Sequence, residues 1–120
     1  MRSILIVDDE FGIAEIIADV LSAMDFSVST AINGKAALAA IEHERPDVIL
    51  LDVMMPVMSG PELLEKLRAS EVYRDIPVIM MSAVGRESVS PEVHARIAGF
   101  LQKPFTYDQL MEALGRVPKR

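Results

Sequence analysis

Five short apolar runs, separated by segments with helical periodicity, constrain the fold of this chain more than any other feature. Three of the runs are apolar almost throughout, which is typical of strands buried on both faces of a parallel sheet. The runs are residues 4–7, 27–31, 47–51, 78–81 and 99–102. The pattern predicts a strand and a helix repeated five times, an α/β fold with a doubly wound sandwich.

The segments between the runs predict the helices. The stretch 11–25 predicts a first helix whose buried face consists of apolar residues three and four positions apart: Ile13, Ile16, Ile17, Val20, Leu21 and Met24. Further helices are predicted at residues 35–44, 61–70 and 107–116. In the weakest segment, 83–98, Pro91 predicts a fourth helix that has Ser90 as its N-cap and follows a loop over residues 83–89.

Length and composition predict a single domain that spans residues 1–120. Hydrophobic residues make up 51% of the chain, which suffices for a core, and the lack of cysteine favours a reducing compartment, the cytoplasm. No apolar run approaches the ~20 residues of a membrane span, so membrane insertion is not expected. The net charge of -6 and the lack of a basic block argue against direct binding of nucleic acid.

Polar side chains follow four of the five predicted strands. Asp8 and Asp9 follow the first strand, Asp52 the third, Ser82 the fourth and Lys103 the fifth. In an open parallel sheet, ligands bind beyond the carboxyl ends of the strands, so these groups are expected to share one crevice. The second strand, residues 27–31, offers only small or apolar residues and is expected at the margin of the sheet.

Three carboxylates in one crevice repel each other unless a cation lies between them. Mg²⁺ suits such a site, because it prefers oxygen ligands in octahedral geometry. Asp52 is then able to attack a phosphorus centre, since carboxylates serve as covalent nucleophiles. Lys103 and the hydroxyl of Ser82 are suitable partners for the oxygens of a transferred phosphoryl group. Each residue taken alone has a structural explanation, and only their joint placement favours this chemistry.

Four motifs in order along the chain resemble the receiver domain of two-component response regulators, of the CheY-like type. They are "VDDE" at 7–10, "LLDVMMPVMSG" at 50–60, "MSA" at 81–83 and "FLQKPF" at 100–105. The resemblance covers the whole chain. It implies a flavodoxin-like (βα)5 sandwich with a five-stranded parallel sheet of order 2-1-3-4-5.

The resemblance also implies the roles of the acids. Asp52 matches the phosphoacceptor, which receives a phosphoryl group from a sensor histidine kinase or a histidine phosphotransfer protein. Asp9 matches a direct Mg²⁺ ligand, Asp8 an acid that acts through water, and the backbone carbonyl of Met54 the main-chain ligand.

The remaining matched residues are those of a switch. Ser82 matches the hydroxyl that moves to the phosphoryl group, Lys103 the cation beside it, and Phe100 the aromatic residue that turns inward on activation. Pro104 matches the residue that follows a cis peptide after Lys103. The expected output is altered affinity for a downstream protein target, by a monomer or weak dimer that is not an enzyme beyond its own phosphorylation and dephosphorylation.

The sequence argues against three other functions. A phosphatase of the haloacid-dehalogenase type needs a second acid two positions after the nucleophile, where this chain has Met54, which cannot transfer protons. A degenerate receiver that only binds partners is disfavoured by the intact Asp9, Asp52, Ser82 and Lys103. A flavin-binding domain lacks support, because acids instead of a hydroxyl-rich phosphate loop follow the first strand.

Several apolar residues near the site carry separate expectations. Met54 and Val84 are hypothesised to crowd or dry the path of the water that hydrolyses the phosphoryl group. The methionines at positions 54, 55 and 58 are expected to fill gaps in packing rather than form a partner surface.

Two further features lie outside the motifs. A second strip on the first helix, formed by Phe11, Ala14 and Ala18, suits docking against helices of a phosphodonor and is equally compatible with chance exposure. The region 85–99 differs from the family's usual fourth helix. His43 and His94 have no metal-like spacing and are assigned no role.

Overall fold

The computed structural model describes residues 2–117 and shows alternating strands and helices. The strands are β1 (Ser3–Val7), β2 (Ser27–Ala31), β3 (Val48–Asp52), β4 (Val78–Ser82) and β5 (Gly99–Gln102). The helices are α1 (Phe11–Ala23), α2 (Gly34–His43), α3 (Gly60–Ala69), α4 (Pro91–His94) and α5 (Tyr107–Gly115), with a 3-10 turn at Arg86–Ser88. None of the helices in the described part of the chain has the length and apolar character needed to cross a bilayer.

The five strands form one parallel sheet in the order β2-β1-β3-β4-β5, which confirms the predicted fold class and strand order. The register places Val7, at the end of β1, opposite Leu51, which is followed by Asp52. The strand order reverses between β1 and β3, and a crevice forms at such a switch point beyond the carboxyl ends. The fold therefore places the residues that follow β1 and those that end β3 side by side.

Two apolar layers cover the sheet, and this explains the uninterrupted apolar runs. Alternate residues of one strand enter different layers: Leu5 and Val7 pack with α2 and α3, whereas Ile4 and Ile6 pack with α1 and α5. Strand β2 lies at the edge of the sheet, and its hydroxyl side chains are exposed. The expected marginal position of residues 27–31 is thus confirmed.

The predicted buried face of α1 is wrong in part. Ala14, Ile17 and Leu21 are the buried residues of this helix, whereas Ile16 is 66% exposed and Ile13 is also exposed. The six predicted apolar positions cover a wider arc than one sheet contact can bury. The helix lies on the side where the small Ala14 allows close approach to the sheet.

The second strip predicted on α1 is also wrong. Ala14 is buried and Ala18 packs partly against the core, so that only Phe11 of the three is exposed. Among the methionines, packing is confirmed for Met55 and for Met58, but Met54 is exposed.

The weak segment before β5 folds as predicted at its helix start. The hydroxyl of Ser90 accepts a hydrogen bond from the Val93 N–H, and Pro91 occupies the first turn of α4. The helix ends after four residues, at His94. The preceding loop contains the 3-10 turn and is anchored to the core by the buried Val89.

Candidate functional site

Three carboxylates meet at the carboxyl edge of the sheet. Asp8 and Asp9 follow β1 and Asp52 ends β3, and one oxygen of each lies within 4.8 Å of the others. Asp8 and Asp52 are buried and Asp9 is exposed. This set of hard oxygen donors, open to solvent on one side, fits a divalent cation of the Mg²⁺ type.

Hydrogen bonds fix both the backbone and the carboxylate of Asp8. The backbone N–H of Asp8 donates to the carbonyl of Ala31 at the end of β2 (3.1 Å), and its Oδ1 accepts a hydrogen bond from the Glu10 N–H at the start of α1 (2.9 Å). Its Oδ2 accepts a hydrogen bond from Lys103 Nζ at 2.7 Å. Asp8 therefore connects β1, β2, α1 and the end of β5 around the site.

Lys103 supplies positive charge to the cluster. Its Nζ lies 3.5 Å from Asp52 Oδ1 and 3.8 Å from Glu10 Oε1. The backbone N–H of Lys103 donates to the Ser82 carbonyl. Burial alone would lower the pKa of Lys103, but the hydrogen bond to Asp8 and the charges of Asp52, Asp8 and Glu10 raise it above its usual value. The ammonium group thus stays charged beside the carboxylates.

The pKa of Asp52 is raised from 3.8 to about 6. Burial is the largest cause, because desolvation penalises the charged form, and the negative charges of Asp8 and Asp9 add to it. Lys103 opposes the shift by its charge and hydrogen bond. The ionised form of Asp52 is consequently destabilised, and a cation bound beside it would stabilise that form.

The loop after β3 folds back tightly behind Asp52. The Gly60 N–H donates to the Val53 carbonyl at 2.9 Å, and Val53 N–H donates to the Met81 carbonyl at 2.9 Å. A Cβ on Gly60 would lie 2.4 Å from the carbonyl oxygen of Asp52, so only glycine permits this approach. Met54, two residues after Asp52, extends its side chain into solvent.

The remaining predicted residues lie beside the cluster rather than in it. Ser82 ends β4 and is buried, and its Oγ accepts the Val84 N–H at 3.1 Å. Phe100 lies on β5, partly buried against the core layer of α2 and α3. The peptide bond between Lys103 and Pro104 is cis.

Two features of the site were missed by sequence reasoning. Glu10 received no role, yet its carboxylate approaches Lys103 from the solvent side. A mainly apolar groove of ≈470 Å³ adjoins it, lined on α1 by Ile13 and Ile16 and after β5 by Phe105. The excess of large apolar residues on α1 was the signal, because one helix face cannot bury all of them.

The sequence and the structure both match known proteins. The sequence model of the response regulator receiver domain matches residues 4–115, and the chain therefore belongs to this family. It is 38% identical to the phosphate regulon transcriptional regulatory protein PhoB of Pseudomonas aeruginosa, over 99% of this chain and 52% of that protein. It is 34% identical to the probable transcriptional regulatory protein TcrX of Mycobacterium tuberculosis, over 98% of this chain and 50% of that protein.

The chain spans about half the length of these curated relatives. Among solved structures, it resembles the chemotaxis protein CheY4 of Vibrio cholerae with 34% identity and a TM-score of 0.86, over 98% of this chain and 99% of that one. It also resembles the response regulator TrrA of Thermotoga maritima, solved in complex with Mg(2+)-BeF, with 29% identity and a TM-score of 0.87 over 98% and 100% of the two chains. The chain is thus a CheY-like receiver domain of two-component systems.

Proposed function

We propose that this domain is a phosphorylation-operated switch in which Asp52 accepts a phosphoryl group from the phosphohistidine of a sensor histidine kinase or a histidine phosphotransfer protein. The observation that carries the proposal is the position of Asp52. Its carboxylate is almost fully buried at the end of β3, beside two further carboxylates and one lysine ammonium group.

The transfer is a nucleophilic displacement at phosphorus. One Asp52 oxygen forms the new bond to phosphorus while the bond from phosphorus to the donor imidazole nitrogen breaks, and the imidazole keeps the electron pair. Lys103 Nζ, 3.5 Å from the acceptor carboxylate, is placed to bind an oxygen of the arriving group. The hydroxyl of Ser82 binds another once it leaves the Val84 N–H.

Asp8, Asp9 and Asp52 would hold Mg²⁺, together with the backbone carbonyl of Met54. The ion supplies charge neutralisation for the phosphoryl oxygens when bound. The proximity of the three carboxylates, the raised pKa of Asp52 and the resemblance to TrrA, whose crystals contain Mg(2+)-BeF, support this assignment. The exposed Asp9 would ligate the ion directly, and the fully buried Asp8 would act through water.

The proposed activity is confined to the domain's own phosphorylation and dephosphorylation. Turnover of an outside phosphate ester needs a group that protonates the leaving oxygen. The side chain two residues after Asp52 is the exposed thioether of Met54, which has no proton to give. The product that would carry the signal is an acyl phosphate on Asp52.

The proposed output is a change in protein affinity. Phosphorylation shifts Ser82 and Phe100 between two arrangements, and a downstream protein target binds one of them more tightly. The domain acts as a monomer or weak dimer and binds no nucleic acid itself.

The groove beside the site is the proposed docking place for a helix of the phosphodonor. Ile13, Ile16 and Phe105 give it an apolar surface, and Glu10 and Lys103 line its end nearest the carboxylates. Continuity between groove and site means that a helix seated there carries its histidine toward Asp52. We therefore propose docking on the Ile13 and Ile16 side of α1, instead of on the strip of Phe11, Ala14 and Ala18, two of which contribute to the core.

The test is incubation with acetyl phosphate and Mg²⁺ followed by intact-mass analysis. We expect one added phosphoryl group that is lost in Asp52→Asn and retained in Asp19→Asn, a change at an exposed acid of α1. A phosphoryl group that persists in Asp52→Asn, or none in the native chain, would refute the proposal. Substitution of Ile16 by Ser should slow transfer from a phosphohistidine donor without affecting acetyl phosphate.

A further inference from the structure

Phe100 is contacted by two side chains from the segment that links β4 to β5. The guanidinium carbon of Arg86 lies 5.8 Å from the centroid of the Phe100 ring, within the range of a cation–π interaction. The imidazole of His94 lies 5.7 Å from the same centroid, with the ring planes at 54°. Arg86 begins the 3-10 turn and His94 ends α4.

The two contacting residues are bonded to each other. His94 Nε2 lies 2.7 Å from the carbonyl oxygen of Arg86, and because a carbonyl only accepts, Nε2 carries the hydrogen. The other ring nitrogen, Nδ1, is buried and has no hydrogen-bond partner among the described residues. The bond from Nε2–H to the Arg86 carbonyl ties α4 to the 3-10 turn beside Phe100.

This arrangement is connected to the phosphorylation site through Ser82. Ser82 Oγ accepts the Val84 N–H at 3.1 Å, and Val84 precedes Arg86 by only two residues. Val78 and Met80 of β4 share the core layer of Phe100, so period-two alternation places Ser82 on that same face of the sheet. When Ser82 turns toward a phosphoryl group, the bond to Val84 breaks at the start of the loop that carries Arg86.

We infer that Arg86 and His94 form a latch that holds Phe100 in the arrangement of the unphosphorylated domain, and that phosphorylation of Asp52 opens it through Ser82 and Val84. Both are positioning residues, since neither touches the carboxylates. The inference rests on the proposed function and names its regulation. One cation–π contact and one aromatic contact are individually weak, so the latch biases the two-state equilibrium by roughly 3- to 30-fold.

The direct test is NMR of the histidine rings, because the chain contains only two histidines. With Mg²⁺ alone, His94 Nε2 should carry a hydrogen that is bonded to the Arg86 carbonyl. Addition of beryllium fluoride, a phosphoryl stand-in, should shift the His94 and Phe100 ring signals and leave those of His43, at the exposed end of α2, unchanged. A beryllium fluoride complex that forms on Asp52 while His94 and Phe100 stay unchanged would overturn the latch.

Variants give a second, independent readout. His94→Ala and Arg86→Gln should move the Phe100 signals of the Mg²⁺ form toward those of the beryllium fluoride complex and speed acetyl phosphate labelling by roughly 3- to 30-fold. His43→Ala is the matched control and should change neither. If His94→Ala does not fold, His94→Gln keeps a donor for the Arg86 carbonyl, loses the ring and should show the same shift.

The outcomes separate the latch from the function on which it rests. Absence of labelling at Asp52 in the native chain refutes the proposed function and the latch together. Normal labelling, with Phe100 signals and rates unchanged in the Arg86 and His94 variants, refutes the latch alone.

Discussion

Lys103 bonds to Asp8 more closely than to Asp52: its Nζ lies 2.7 Å from Asp8 Oδ2 and 3.5 Å from Asp52 Oδ1. Asp8 is fully buried, so this ion pair compensates a charge that would otherwise be costly. Under the proposed function, a cation held by the carboxylates would also neutralise Asp8. The ammonium group of Lys103 would then be able to bind phosphoryl oxygens, so metal binding would prepare the site for transfer.

Lys103→Ala should therefore have opposite effects on folding and on metal binding. In EDTA we expect the free energy of unfolding to fall by about 3 kcal/mol, because buried carboxylates lose their counter-charge. The dissociation constant for Mg²⁺ should fall by about 3- to 30-fold, because a competing cation is gone. Urea unfolding and calorimetric Mg²⁺ titration measure the two effects, with the exposed Lys35→Ala as control. Unchanged stability in EDTA would contradict the role of the ion pair.

Asp52→Asn should stabilise the metal-free domain at neutral pH. Because folding raises the pKa of Asp52 from 3.8 to about 6, the folded state binds more protons between these values. The free energy of unfolding of the native chain therefore falls as pH rises from about 4 to about 6. The variant lacks this loss and should be more stable above pH 6 by on the order of 2–3 kcal/mol.

Measuring the free energy of unfolding of both proteins across pH provides the control for this prediction. The difference between native chain and Asp52→Asn should shrink as pH falls from about 6 to about 4, and it should vanish below that, where both side chains are neutral. Mg²⁺ should reduce this stability difference at pH 7, because only the native chain retains all three carboxylates. A stability difference in EDTA that does not change with pH would show that burial of charge at Asp52 is not its cause.

Much of the site followed from the sequence because parallel strands bring their carboxyl ends to one edge. Asp52 and Lys103 are separated by half the chain, yet the carboxyl ends of β3 and β5 lie at the same edge of the sheet, with only β4 between them. The buried face of α1 did not follow, since Ile16 and Ile17 are equally apolar and only tertiary packing selects between them. The contacts of Arg86 and His94 with Phe100 depend on the path of a loop and on side-chain rotamers, which leave no periodic signal.

Met54 and Val84 should lengthen the lifetime of the phosphoryl group. Both side chains are exposed, and each lies two residues after Asp52 or Ser82. An apolar group at these positions is expected to exclude or fail to orient the attacking water. Met54→Asn and Val84→Glu should each shorten the lifetime by about 2- to 10-fold, because a polar group at either position can bind that water. The loss of phosphoryl from isolated protein, followed by intact mass in Mg²⁺, measures the effect. Lifetimes unchanged in both variants would remove these residues from the hydrolytic step.

Gly60 and Gly12 should respond oppositely to alanine. A Cβ at Gly60 meets backbone atoms of Asp52 and Val53, which cannot rotate away, so Gly60→Ala should destabilise the domain by about 2 kcal/mol or more. Gly12 lies in α1 with nothing within 4 Å of such a Cβ, and Gly12→Ala should stabilise it by about 0.5–1 kcal/mol. Denaturant unfolding measures both changes, and a mild effect at Gly60 would show that the loop behind Asp52 adapts.

Val57→Gly should stabilise the domain even though it removes an apolar side chain. Val57 has a φ of 68°, and Met58 N–H donates to the Pro56 carbonyl across it at 2.7 Å, a strained γ-turn. A β-branched residue is costly in this region, and the side chain is fully exposed, so no packing is lost.

The expected gain is about 0.5–1 kcal/mol, because relief of strain exceeds the extra entropy of glycine in the unfolded chain. Val72→Gly is the matched control: Val72 is also an exposed valine, but its φ is not positive, so glycine should be neutral or destabilising there. Thermal and urea unfolding of the two variants measure the change in stability. Equal destabilisation by both substitutions would mean that Val57 carries no strain.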